Sequence, residues 1–583
     1  MNNLITLTLD DQRRLTGKSL LWNKPGAIID AFVSGIDKQT VVDQWLIYVN
    51  QLLAAVDWQD ESTCYRIFED GISLAISAPM DALYASCDVN EAAWDFACSK
   101  ILTGSISDTH QQEMDKTVTR LKQMIAEEAN PALLNLIDLA INNHVDYLVD
   151  DDEFSLGYGK SCQRWPVTSL PDPTQLNWHQ YQSIPIALVT GTNGKSTTVR
   201  IMSEIIKQSN KCCGVTSTDF IRVGEKIIDY GDYSGPGGAR MLLRHPETET
   251  AILEVARGGI LRRGLPIDHV DAALITNIAE DHLGQYGINT VAGLAQTKAV
   301  VAKALTSGVL VLNADDPYLT ALAPTLTVNK CWFSLNENNP VLQQHKAIGG
   351  AICFIRDGAI FYCTQNTSTG ERLESMIVAV NDIPMTLNGA ARHNVQNALG
   401  ATALAKSLHI DSAVIGLALQ NFSSNVDDNP GRGNQFKLNG ASVIMDFAHN
   451  VHGMNAMALT MANIPASRKF LMLSHAGDRS NDDIIKMTKS ALKMKPDILV
   501  AAETVEYLRG RELGEISNLI AKVAIESGMS ADNIYFSEGP YQGAKQIVNQ
   551  LSVNDLALLI VLSERNKVIE LLTKKANQTA DMS

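Results

Sequence analysis

Residues 184–210 read IPIALVTGTNGKSTTVRIMSEIIKQSN. A short apolar run ends in a glycine turn, and an amphipathic, helix-like stretch follows at once. That is the setting a phosphate-binding loop requires. Glycines let backbone N–H groups approach phosphate oxygens, and the helix start adds its dipole. Gly191, Thr192, Asn193, Gly194, Lys195, Ser196 and Thr197 are therefore the nucleotide-binding candidates. Lys195 would reach the β- and γ-phosphates, and the Ser196 hydroxyl would ligate Mg²⁺. The first glycine of the usual phosphate-loop pattern falls on Val189, so the match is incomplete. The competing reading is a glycine-rich turn carrying a solvated lysine.

Downstream, TAILEVA, AALITNI and SGVLVLNA are further apolar strands separated by helical stretches. The alternation predicts a mostly parallel sheet wrapped by helices. A β-rich stretch runs to about residue 388, and the helix HNVQNALGATALAKSL follows. From about residue 425, ASVIMDFAHN, KFLMLSHAG, DILVAAE and LALLIVLS predict four strands of a Rossmann-like unit. Upstream, residues 1–165 mix strand-like runs around Phe32–Val33 and Cys64–Phe68 with helical spacing in VVDQWLIYVNQLLAAV and ALLNLIDLAINNHV. A stretch with four prolines, RWPVTSLPDPTQLNWHQYQSIP, reads as a linker. The expected fold class is α/β: an N-terminal α+β domain (1–165), a linker (166–183), a central phosphate-loop ATPase-like domain (184–424) and a C-terminal Rossmann-like domain (425–583).

A chain of 583 residues is too long for one hydrophobic core. Apolar residues make up 45% and charged residues 19%, a globular balance. The net charge of −16 argues against nucleic acid or an anionic membrane as the main partner, since both reward clustered Lys and Arg. An acidic substrate remains compatible with a locally basic site. Nine Cys without framework or zinc spacing read as reduced, mostly buried thiols of a cytosolic protein. The start, MNNLITLTLDDQRRLTG, is charged where a signal peptide would be apolar, and no run is long enough to span a bilayer. The expected location is the cytoplasm.

GTNGKST also resembles the short ATP loop of the Mur ligase family. LEVARGG (253–259), TNIAEDHLG (276–284), LNADDP (312–317), HNVQN (393–397), PGRGN (430–434) and DFAHN (446–450) occur in that family's order, over residues 184 to the end. TSTDFIRVGEKIIDYGDYSGPGGAR, LEVARGGILRRGLP and YLRGRELGE are most similar to the Mur-like half of cyanophycin synthetases. PGAIIDAFV and SLGYGKSCQRW resemble the stretches that precede the ATP-grasp domain of those enzymes. Here a proline-rich stretch follows instead, so the chain looks like such a synthetase with its ATP-grasp module missing. The resemblance then implies that only side-chain ligation chemistry survives.

It also implies roles. Glu254 and His282 bind a Mg²⁺ at the γ-phosphate. Lys298 occupies the place of a lysine that is carbamylated in many of these ligases. Asn394 and Asn397 lie near adenine and phosphates, and Arg432 contacts the γ-phosphate when the C-terminal domain closes. Asp446 and His449 contact ribose and the reacting phosphates. Asp232, Arg509 and Arg511 are substrate-side candidates, with Glu512 and Glu515 as options for a basic substrate. Each has a plain alternative: a strand-end charge for Glu254, a cap or core histidine for His282, a salt-bridged surface lysine for Lys298, caps for the asparagines. The implied reaction uses ATP and Mg²⁺ to turn a carboxylate into an acyl phosphate, which an amine then attacks.

Three readings compete. One is an amide ligase adding an amino acid to an acidic peptide or polymer. The second is a different ligase on this scaffold, such as a poly-γ-glutamyl type. The third is a catalytically weak partner subunit that binds polymer or a related full-length synthetase; separately, the missing ATP-grasp module argues for a companion ATP-grasp ligase that supplies the acceptor, and a homo-oligomer is a further expectation. The joint presence of Lys195, Glu254, His282, Lys298 and Arg432 argues against the third.

Overall fold

The computed structural model describes residues 4–104, 108–366, 368–426 and 429–580. At its centre is an eleven-stranded sheet, in the order Lys226–Tyr230, Phe220–Val223, Cys213–Thr216, Thr250–Glu254, Ile186–Thr190, Ala272–Ile275, Val309–Asn313, Asn329–Ser334, Ala351–Arg356, Ala359–Gln365, Arg372–Ala379. The strands from Cys213–Thr216 through Ala351–Arg356 run parallel, and antiparallel pairs extend both edges. Every residue of Ile186–Thr190 and Thr250–Glu254 is buried, as expected of inner parallel strands covered by helices on both faces. Helices Lys195–Gln208 and Arg392–Ser407 pack on one face through Val199, Ile205, Ala398 and Leu404. The other face is closed by Leu242, Ile260, Val300 and Leu319, among others.

The C-terminal sheet has six strands, in the order Asn434–Leu438, Ala441–Asp446, Leu556–Ile560, Lys469–Leu473, Ile498–Ala502, Ile534–Ser537. Only the first pairs antiparallel. Met454, Met461, Ile484 and Ile520 fill one side and Phe436, Ile547, Val568 and Leu572 the other. This is the doubly wound arrangement that the four apolar runs predict.

The N-terminal sheet is antiparallel throughout, in the order Thr6–Leu15, Gly26–Ser34, Gly71–Ser77, Thr63–Phe68. Helices Lys38–Ala55 and Leu83–Thr103 cover one face, with Trp45 buried and its indole N–H donating to Asn90 Oδ1 at 3.0 Å. The opposite face is turned to the central domain. A three-stranded sheet, Tyr147–Val149, Glu153–Leu156 and Gln163–Pro166, is joined to that domain by Arg244, which donates to Ser155 Oγ at 3.0 Å and pairs with Asp150. The proline-rich stretch is packed: Tyr181 is buried edge-on against Trp165 and Trp178.

All nine cysteines are free. The expectation that most are buried needs correcting. Only Cys213, Cys331, Cys353 and Cys363 are; the other five lie at element ends or on half-covered helix faces. Among the described residues no helix is long and apolar enough to cross a membrane.

Candidate active site cleft

Three adjacent central strands deliver their C-terminal ends to one place. Ile186–Thr190 leads into the phosphate loop, Thr250–Glu254 ends on Glu254, and Ala272–Ile275 leads into Thr276, Asn277, Asp281 and His282. Ligands collect at this edge of an open parallel sheet. The loop is pinned from its neighbour: Thr276 Oγ1 and Asn277 Nδ2 both donate to Asn193 O (2.6 and 3.0 Å), while Asn193 N donates to Asn277 Oδ1 (3.0 Å). Gly194, at φ 85°, caps helix Lys195–Gln208 and lets the chain turn where a side chain would strain it.

Glu254 is 2% exposed. Its Oε1 accepts from Ser196 Oγ at 3.2 Å, while Oε2 is buried without a hydrogen-bond partner among the described residues. Lys195 Nζ donates to Gly191 O and Thr192 O (both 3.1 Å), and Lys298 Nζ donates to Gly191 O at 2.8 Å. Lys298 is 4% exposed. Burial, reinforced by the Lys195 cation, holds its amine well below the usual lysine range. Burial alone would raise the Asp281 pKa, but His449, His282, Arg479 and Lys195 together bring it below the usual value. His282 sits in the left-handed region (φ 50°), and its carbonyl accepts from Arg257 at 2.6 Å.

The opposite wall comes from the C-terminal domain. Arg432 donates to Thr218 Oγ1 at 3.3 Å and lies 5.5 Å from the Phe447 ring centroid; its Nε is buried without a partner among the described residues. Asn450 and Asn193 exchange amide hydrogen bonds (3.2 and 3.0 Å), so the far domain grips the phosphate loop. Burial pushes Asp446 up to about 6, against the pull of Arg432, and pushes His449 down to about 4. Asn394 and Asn397 share one face of helix Arg392–Ser407 and are joined at 3.2 Å; Asn397 reaches the loop beside Gly194, and Asn394 lies beside Gly433.

These groups line one cleft of about 750 Å³ between the central and C-terminal domains. Lys195, Ser196, Glu254, His282, Lys298, Asn394, Asn397, Arg432, Asp446 and His449 all border it, as do Asp232 and Arg509. Asp232 accepts from Ser234 Oγ at 2.6 Å, shaping the loop before helix Pro236–Leu243; Arg509 pairs with Asp478. Gly191 is one layer back, its carbonyl receiving both lysines. Arg511 lies outside the cleft lining: its guanidinium is spent on Gly477 O, Arg479 O, Asn481 and Glu515, which also removes Glu515 as a free anion. Sequence reasoning missed Asp281, Arg257, Asp219, Arg565 and Asn450 at the cleft or its rim. Asp281 could have been found, since it directly precedes His282 in the same strand-end turn.

Strand-end phosphate loop and facing Rossmann-like domain thus define a nucleotide-cleft protein. Residues 189–405 match the Mur ligase middle domain. The chain is 37% identical over 349 residues to cyanophycin synthetase from Synechocystis sp., a match covering 60% of this chain and 39% of that protein. It is 20% identical over 395 residues to the UDP-N-acetylmuramoyl-L-alanyl-D-glutamate–2,6-diaminopimelate ligase of Listeria monocytogenes, covering 65% and 73%. Among solved structures, E. coli FolC in complex with ADP aligns with a TM-score of 0.48 at 16% identity, over 68% of this chain and 90% of that one. The chain therefore spans about two fifths of the length of the cyanophycin synthetases it matches (39%).

Proposed function

We propose that this chain is an ATP-dependent amide ligase that activates a carboxylate as an acyl phosphate and couples it to the amine of an amino acid. One observation carries the reading. A buried carboxylate with an orphaned oxygen (Glu254), a loop hydroxyl (Ser196) and two lysines converge on a single phosphate loop. A buried carboxylate oxygen without a donor is costly unless a cation completes it. Hard oxygen donors at this spot fit a divalent metal such as Mg²⁺. Ser196 and Glu254 would hold it, with His282 on the same side of the cleft, past the end of Ala272–Ile275. Bound there, the metal would offset the negative charge of the phosphates.

The backbone N–H groups of 192–197 and Lys195 would take the ATP phosphates. Asn394 and Asn397 would border the nucleotide, Asp446 and His449 its ribose and reacting end. An acceptor carboxylate beside Lys298 and Arg257 attacks the γ-phosphorus, and ADP leaves. Arg432, across the cleft, steadies the transferring charge bidentately. The amine nitrogen then attacks the acyl carbon; the C–O bond to phosphate breaks, and the amine gives up a proton. Positioning and charge neutralisation supply most of the rate. The uncharged amine of Lys298 is the form that adds CO₂, and a carbamate there is the finer reading of this residue. The similarity to cyanophycin synthetases favours an acidic peptide or polymer as acceptor. Arg509 and Asp232 are the substrate-side groups that border the cleft.

The test is phosphate release from Mg·ATP by the purified protein, with β-aspartyl peptides and free acidic acceptors screened against a panel of amino acids. Release that requires one acceptor and one amino acid, and is lost in Lys195→Ala, supports the ligase. ATP binding without stimulated release, restored only by a companion ATP-grasp ligase, replaces it with a partner-dependent subunit.

A further inference from the structure

The N-terminal sheet turns an unusual face to the central domain. Asp30 and Ser73, each 1% exposed, sit on its two inner strands. Buried charge on a sheet face is costly unless it is paired. Asp30 Oδ2 pairs with Arg13 at 2.7 Å, its Oδ1 accepts from Ser73 Oγ at 2.6 Å, and Ser73 Oγ accepts from Arg66 at 3.2 Å. One carboxylate thus aims two guanidiniums, Arg13 directly and Arg66 through Ser73. Both then cross the domain boundary. Arg13 Nε donates to Leu261 O at 3.0 Å, and its guanidinium lies 4.9 Å from the Tyr286 ring centroid. Arg66 donates to Tyr286 O at 2.6 Å and Gly287 O at 2.8 Å.

The receiving segments are two walls of the cleft. Leu261 belongs to helix Arg257–Arg263, whose Arg257 and Arg262 border the cleft. Tyr286 and Gly287 close the turn that begins at His282. Four residues of that turn lie in the left-handed region: His282 (φ 50°), Gly284 (88°), Tyr286 (53°) and Gly287 (63°). Such a backbone persists only when its surroundings hold it. Within the turn, Gly284 N donates to Ile288 O at 3.0 Å, and Gln285 accepts from Arg257 at 2.5 Å. From outside, the N-terminal domain supplies the two Arg66 bonds, and Phe68 packs so close that a Cβ on Gly287 would meet its ring at 2.5 Å.

We infer that Arg66 and Arg13 are positioning residues through which the N-terminal domain sets the acceptor wall of the cleft, the turn 282–288 and the helix Arg257–Arg263, leaving the phosphate loop untouched. The inference rests on the ligase reading for its kinetic consequence but not for its structural one. The experiment therefore has two readouts on the full chain: Arg66→Ala and Ser73→Ala, with Arg120→Ala, on an exposed arginine of the same domain paired to Asp88, as the control. Amide hydrogen exchange should quicken about tenfold or more across 282–288 in both variants and stay unchanged across 191–199. In phosphate-release assays the acceptor KM should rise roughly tenfold, while the ATP KM, which senses this turn only through His282, should rise no more than about threefold. Exchange confined to the N-terminal domain, or equal rises in both KM values, would overturn the inference. A wild-type protein with no acceptor-stimulated release would sink the ligase reading and leave the exchange result to decide this one. Ser73→Ala serves if Arg66→Ala does not fold.

Discussion

Glu254 shows how one residue can be legible and still surprising. From sequence it is an acidic residue at a strand end, and a solvated charge is the ordinary reading. The structure buries it to 2% exposure with one oxygen held by Ser196 and the other unpartnered. Glu254→Gln keeps the shape and removes the charge. Phosphate release should fall at least about 100-fold, the scale seen when a group stabilising transition-state charge is removed. Stability without ligand should hold or rise, because an uncompensated buried charge is gone. Thermal melts with and without Mg²⁺ and a non-hydrolysable ATP analogue check both parts: the ligand-induced rise should vanish in the variant. Lys298 belongs to the same scale. Its amine, held well below the usual lysine range by burial beside Lys195, donates to Gly191 O at 2.8 Å. If it carries a carbamate, protein freed of CO₂ should lose activity and regain it with bicarbonate. Lys298→Arg, which keeps a donor for Gly191 O, should be inactive in both conditions. An unmodified wild-type rate without CO₂ would discard the carbamate.

At the scale of elements, the phosphate loop has almost no slack. A Cβ at Gly191 would lie 1.9 Å from Thr276 Oγ1, and one at Gly194 would lie 2.3 Å from Asn397 Oδ1, both at positive φ. Gly191→Ala must therefore push the loop off the Thr276–Asn277 clamp. Nucleotide affinity should drop tenfold or more, measured by titration with a fluorescent ATP analogue, with the far-UV spectrum unchanged. The loop and its helix were legible because an unbroken apolar run meets a glycine stop at Gly191, and the other inner parallel strands because their short apolar runs alternate with helical stretches. The edges were not. Asn434–Leu438 (NQFKL) buries only alternate residues, and Thr6–Leu15 carries a charged second half because Arg13 and Arg14 serve partners across the sheet face. Asp219 and Arg565 escaped notice for a related reason. Each gains its meaning from a partner far along the chain, and a single sequence does not display such pairings. Arg511, marked by its motif as a ligand group, instead donates to Gly477 O, Arg479 O and Asn481 in the segment after Lys469–Leu473, and to Glu515 beside it.

Over the whole molecule, the central and C-terminal domains meet through charge. Asp219, its side chain 9% exposed, holds Arg200 of the central domain at 2.5 Å and Arg565 of the C-terminal domain at 2.8 Å. Burial alone would raise the Asp219 pKa, but Arg432, Arg200 and Arg565 outweigh it and bring it down to about 2 from 3.8. A carboxylate with a depressed folded pKa contributes stability that is fully present above its unfolded value and is lost as pH falls through the folded one. The window here runs from about pH 4 down to about pH 2, and the contribution is about 2 kcal/mol. Asp219→Asn should lower the thermal midpoint by a few degrees at pH 7, with the gap to wild type constant down to about pH 5 and roughly halved by pH 3. A gap independent of pH would mean that packing, not charge, joins the domains at this point. Arg565→Ala resolves the interdomain share. In a double-mutant cycle with Asp219→Asn, a direct pair predicts a coupling of about 1–3 kcal/mol. Additive losses would place the strength of Asp219 in its bond to Arg200, inside the central domain, and leave the C-terminal domain to be held by Asn193, Asn450 and Arg432 around the nucleotide cleft.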